Sequence, residues 1–264
     1  MKRILLVAFW IAIIAGVSFL FIFSNNKQEK LICPEFQINV NYDNAPVLIT
    51  QGNIRQQITK NNIKIRGKEI GSIDVEKIQK LLDKNPFIKQ ASITIGVNGV
   101  VKADLNQRNP IVRVIDRNGT QFYIDDEGSL IPLSPEFPAR VIIASGNIGP
   151  VKGLSNKVAV DKNQPRYKSL PADLQQVYKT AMALRNDVFS NALIEQIYIN
   201  ETGETELFAK IGNQNIILGD TARLNEKLNN LAIFYTKGMK NTGWDNYKTI
   251  NLKFRNQVVC TKTK

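Results

Sequence analysis

ASITIGVNGVVKADLNQRNPIVRVIDRNGTQFYIDDEGSLIPL, residues 91–133, contains the change of texture that sets the fold. It opens as a hairpin. Ile93, Ile95 and Val97 alternate before Asn98-Gly99, and Val101, Ala103 and Leu105 alternate after it. Period-two alternation marks half-buried strands. Asn98-Gly99 is expected to be a two-residue loop, because both central positions of such a turn need φ > 0. From Pro110 the runs IVRVI, QFYI and SLIPL follow one another between turn signals, which predicts an antiparallel meander.

Asp125-Asp126-Glu127-Gly128 separates the last two runs. A calcium loop needs acids at alternate positions with Gly sixth, and these acids are consecutive. A glycosidase needs a second carboxylate across a cleft, and none can be named. A polar turn, with Gly128 supplying the φ > 0 position, is the expectation.

Upstream, FQINVNYD (36–43) alternates as a strand. Thr50 is placed to cap a short helix carrying Ile54 and Ile58. Asp74 is placed to cap a second, with Val75, Ile78, Leu81 and Leu82 on one stripe, stopped by Asn85-Pro86. The unit is β-α-α-β-β, one three-stranded sheet with two helices on one face. Farther upstream, Ile4 to Phe23 is twenty residues without a charge. At about 1.5 Å per residue it spans a bilayer's hydrocarbon core of roughly 30 Å. It lacks an A-x-A-like site, so an uncleaved anchor is expected.

Downstream, RVIIAS, LIEQIYI, ELFAKI and NIIL continue the meander. Two helices interrupt it, one starting near Pro171 and one at Asp220-Thr221, the second ending at Lys237-Gly238. TINLKFRNQVVC (249–260) reads as one long strand. Ile250, Leu252, Phe254 and Val258 lie on one face, and Asn251, Lys253, Arg255 and Gln257 on a wet face. The class is α+β. The expected plan is a head (1–3), a transmembrane helix (4–23), a linker (24–35), the β-α-α-β-β unit (36–109) and a mostly antiparallel β domain with two helices (110–264).

The chain has no histidine, which excludes Ser-His-Asp and Cys-His catalysis and His-ligated zinc. Cys33 and Cys260 could pair in an oxidising compartment, but two distant cysteines form no metal site. No phosphate-cradling Gly motif is present. The net charge of +12 is scattered, as on a solvated surface near anionic lipid or one that docks an acidic partner. Tyr178 and Tyr235 sit at core spacing on helices; Tyr167, Trp244 and Tyr247 are the remaining aromatic candidates, Trp244 as a cap over the sheet.

Anchor, β-α-α-β-β unit, Gln-Arg-x-Pro junction and β-rich domain, in that order, resemble the FtsQ/DivIB family of bacterial cell-division proteins. IRGKEIGSIDVEKIQKLLDKNPFIKQASI is similar to the second half of its POTRA domain, with Pro86-Phe87 before the next strand. NQRNPIVRV resembles its domain junction, FYIDDEGSLIPLS its hairpin, and TINLKFRNQVVC its terminal strand. The junction and IPLSPEFPARV look most like Bacteroidota versions. The resemblance implies no catalysis, cofactor or metal. It implies a single-pass protein of the cytoplasmic (inner) membrane, with its bulk periplasmic, at the division septum. FtsB/FtsL-like coiled-coil proteins would be its partners, and it would help recruit and regulate the septal peptidoglycan synthase. A partner segment would extend a strand edge near residues 250–260, with Lys253, Phe254, Arg255, Gln257 and Val259 as contacts. Two alternatives stand beside it. One is a membrane-anchored POTRA-containing transport or envelope-assembly factor, though such proteins usually carry several units and a barrel. The other is an anchored hydrolase, which alanine at Asp125 and Asp126 would inactivate; in a turn those changes are expected to cost little stability.

Overall fold

The computed structural model describes residues 9–10, 13–16, 29–134, 137–151, 166–239, 243 and 246–263. Of the expected membrane helix, 9–10 and 13–16 are helical and the rest lies outside the described residues, as does Trp244. No helix among the described residues is long and apolar enough to cross a membrane. The chain forms two compact units that part between Gln107 and Arg108, with residues 43–48 belonging to the second.

The first unit runs β1 (Phe36–Asn41), α1 (Gln51–Lys60), α2 (Val75–Asp83), β2 (Ile88–Ile95) and β3 (Val101–Gln107). Its sheet has the order β1-β3-β2, with β1 parallel and β2 antiparallel to β3. The helices start where the sequence places them. Thr50 and Asn53 bond reciprocally as a capping box, and Asp74 accepts from the Lys77 N–H at 2.9 Å. Ile54, Ile58, Ile78 and Leu82 are buried with Ile38, Val101, Ala103 and Leu105. Residues just ahead of β1, expected as linker, are already tied in: Cys33 is buried and donates its N–H to the Lys68 carbonyl at 2.8 Å.

The hairpin departs from expectation. Gly96 N–H bonds the Val100 carbonyl and Gly99 N–H bonds the Gly96 carbonyl, each at 2.9 Å, so the loop has three residues, Val97 to Gly99. Only Gly99 is left-handed, at φ +78. This is a turn followed by a glycine bulge, which spares Asn98 a positive φ.

The second unit holds β4 (Pro110–Ile115), β5 (Gln121–Asp125), β6 (Leu130–Pro132), β7 (Ile142–Gly146), α3 (Ala172–Asn186), α4 (Val188–Leu193), β8 (Ile194–Ile199), β9 (Thr205–Ala209), β10 (Asn215–Gly219), α5 (Leu224–Ile233), a π-turn (Phe234–Gly238), β11 (Tyr247–Asn251) and β12 (Val259–Lys262). One nine-stranded sheet orders them β12-β11-β10-β9-β8-β7-β4-β5-β6. It is mixed, not mostly antiparallel as expected. β4/β7, β7/β8 and β10/β11 are parallel. The helices explain two of these pairs: α3–α4 between β7 and β8, and α5 between β10 and β11, are crossover connections that return the chain in the same strand direction, whereas β4 and β7 are joined through β5 and β6. α4 is a helix beyond the two expected, started by Asp187, whose carboxylate accepts from the Ser190 N–H at 2.7 Å. Leu174, Val177, Ala181 and Leu184 of α3 and Leu228 and Leu231 of α5 are buried with Val112, Phe122, Ile197, Leu207, Ile216 and Ile250 of the sheet.

Candidate partner interface

The expected single strand 249–260 is two strands joined by a turn. β11 lies parallel to β10, pairing Asn215 with Thr249 and Ile217 with Asn251. Past β11, Leu252 N–H still bonds the Ile217 carbonyl at 2.9 Å, and the chain then reverses. Asn251 accepts from the Lys253 N–H through its side chain at 3.0 Å, and Asn256 takes φ +55. Both are habits of Asn in turns. β12 returns antiparallel, Val259 opposite Asn251 and Cys260 opposite Ile250. Ile250 and Leu252 are buried as expected, whereas Phe254 sits at the reversal, 45% exposed.

Four of the five expected contact residues, Lys253, Phe254, Arg255 and Gln257, therefore lie in the reversal, and Val259 opens β12. Lys253 is held from three sides. Its ammonium pairs with Glu204 at 2.7 Å, its carbonyl accepts from Arg223 at 3.2 Å, and its methylenes lie over Gly219, where an added Cβ would come 2.7 Å from Lys253 Cδ. It anchors the turn to β9 and β10. Phe254, Arg255 and Gln257 are exposed, and Val259 is 44% exposed.

β12 is the outermost strand, and among the described residues nothing pairs with its outer side. Thr263 donates its N–H inward to the Asn246 carbonyl at 3.0 Å. Main-chain groups alternate along an antiparallel strand, so Thr261 and Val259 also face β11, while Cys260 and Lys262 turn N–H and C=O outward. The opposite edge, β6, is three residues long, ends in Pro132 and has Leu130 and Ile131 buried. Short, proline-ended edges resist extension. β12 is the edge that a second chain can lengthen.

The acidic triplet forms a turn, with Gly128 at φ +83, but not a solvated tip. Asp125 is fully buried. It accepts from Arg108 Nη1 at 2.8 Å and from the N–H groups of Glu127 and Ser129 at 3.0 and 2.6 Å. Burial pushes its carboxyl above the ordinary value, outweighing the Arg108 bond that pulls it down. The Tyr178 hydroxyl donates to the Asp126 carbonyl at 2.8 Å, and its ring stacks on Tyr167 at 4.7 Å. These contacts lock the turn to α3 and occupy both carboxylate oxygens of Asp125. Tyr235 is buried, and Tyr247 packs edge-on against Phe234. Cys33 and Cys260 are both free thiols.

A family model described as FtsQ/DivIB, C-terminal related, matches residues 109–261, more than half of the chain. The chain belongs to the FtsQ/DivIB family. A POTRA-like domain model matches residues 31–106, beginning where the chain ahead of β1 is already tied into the first unit. No curated protein matches. In this FtsQ/DivIB chain the family match runs to residue 261 and so takes in β11, the reversal and most of β12. FtsQ/DivIB and POTRA domains are typically non-catalytic scaffold domains, the former associated with cell division.

Proposed function

We propose that this protein is a non-enzymatic scaffold of the bacterial division septum. Residues 4–23 anchor it in the inner membrane, with the bulk of the chain in the periplasm. Its β12 edge takes up a strand from an FtsB/FtsL-like partner, and the assembly helps recruit and regulate septal peptidoglycan synthesis. The observation that carries this reading is the terminal edge: Cys260, inside the family match, and Lys262, one residue past its end at 261, turn their main-chain groups outward. Such an edge gains affinity from main-chain hydrogen bonds and specificity from alternate side chains. Phe254, Arg255, Gln257 and Val259 flank the path of the incoming strand, and Lys253 holds the turn in place.

Proline tests this. At Lys262 it removes an outward N–H without touching an inward one. Full-length Lys262→Pro protein should unfold within a few degrees of wild type yet fail to capture FtsB/FtsL-like proteins in a pulldown from co-expressing membranes. Undiminished capture by the folded variant would remove β12 as the docking edge.

A further inference from the structure

The second unit has a groove of about 540 Å³ at the other side of its sheet, where the parallel strands β4, β7 and β8 begin beside the last turn of α3. Arg140, Arg185 and Lys210 line it, against a single acid, Glu195. They differ from the four cations of the unit that pair closely with carboxylates among the described residues. Arg108, Arg223, Lys227 and Lys253 each lie within 3.0 Å of a carboxylate. Arg140 and Arg185 are exposed and have no hydrogen bond or ion pair among the described residues, and Lys210 donates only to the Ala192 carbonyl at 2.9 Å. Between them Ile143 is 38% exposed, and Val141 and Ile142 are half-buried. An apolar strip rimmed by unneutralised charge of one sign is the profile of a docking surface.

We propose that this groove docks an acidic amphipathic helix of a protein partner, at a site separate from the β12 edge. The chemistry selects the occupant. The groove crosses strand beginnings rather than following a free edge, so recognition must come from side chains. A helix sets carboxylates three or four residues apart on one face, with an apolar residue between them, and needs no main-chain pairing. Its carboxylates meet Arg140 and Arg185, and its apolar residue covers Ile143.

The test places benzophenone in the groove of the full-length chain, as Ile143→p-benzoylphenylalanine, and irradiates intact cells. The cross-linked peptide is then sequenced by mass spectrometry. The expected adduct is a partner segment with two carboxylates at i and i+3 or i+4. It should fall about tenfold with Arg140→Glu plus Arg185→Glu, as loss of charge pairing at a rim implies. Charge reversal of the segment's own acids should restore it. Capture through β12 should stay at the wild-type level in the same cells, which shows the variants folded and separates this site from the edge. An adduct to lipid or to a second copy of this chain, an adduct indifferent to the charge reversals, or no adduct would each overturn the proposal.

Discussion

Asp125 shows what a single residue can and cannot disclose. Its place in a turn is legible, because Asp-x-x-Gly between two apolar runs has few other uses. Its burial is not, since the partner that makes burial tolerable, Arg108, lies seventeen positions away in a junction that reads as polar surface. The expected small cost of alanine there must therefore be revised. Asp125→Ala takes from buried Arg108 its close counter-charge, leaving Glu127 at 3.8 Å, and takes the acceptor from two N–H groups, a loss of about 3 kcal/mol that chemical denaturation would measure. The pH dependence has a definite sign. The native carboxyl lies above its ordinary value, so the folded chain holds that proton more tightly than the unfolded one. The group's contribution to stability is fullest below about pH 4 and declines as pH rises through the folded value. Asp116 runs the other way. Burial pushes it up, but N–H donors from Thr120, Val151 and Asn118 more than offset this and leave it low. Its contribution is present above about pH 4 and is lost as pH falls through its folded value. The stability gap between wild type and Asp116→Asn should narrow on acidification, while that between wild type and Asp125→Asn should shift in favour of wild type. Parallel slopes for the two variants would refute the assignment.

At the scale of elements, helices were easier to read than turns. Thr50, Asp74 and Pro171 mark helix starts through local chemistry alone. The terminal segment misled because its apolar alternation continues past Leu252, while the signals for reversal are two asparagines that also suit a wet strand face. Turns also differ in how much they tolerate. Gly99 is left-handed at φ +78, but a Cβ there would meet nothing nearer than the Ile32 carbonyl oxygen at 3.4 Å. Gly128, at φ +83, would drive a Cβ to 2.6 Å from the Tyr167 backbone. Gly99→Ala should cost about 1–2 kcal/mol, the conformational term alone. Gly128→Ala should cost clearly more, because the Tyr167–Tyr178 stack must also shift, and thermal unfolding of the pair would check the order. The edges of the first sheet show a further contrast. The β1 side is guarded by Arg55 and Arg66, which donate to the Phe36 and Pro34 carbonyls at 3.2 and 3.1 Å. β12 has no such guard among the described residues.

For the whole molecule, the order of elements gave the division into a POTRA-like unit and a β-rich unit, and the family matches fall on the same division. Strand direction was missed although its signal was present. A helix between two strands generally returns the chain parallel, and residues 172–193 and 224–238 are two such returns. Reading them as interruptions of a meander, rather than as crossovers, hid the mixed sheet. The partner-contact residues were legible only as a neighbourhood, because whether a main-chain group is free depends on strand order across the entire sheet. The central claim is that β12 receives a partner strand, and amide hydrogen exchange of the full chain with and without co-purified FtsB/FtsL-like protein tests it most directly. Without partner, the outward amides of Cys260 and Lys262 should exchange quickly while those facing β11 are slow. On binding, these two should become protected by at least tenfold, as expected for amides newly drawn into a ladder. Bound partner that leaves Cys260 and Lys262 unprotected would contradict the claim.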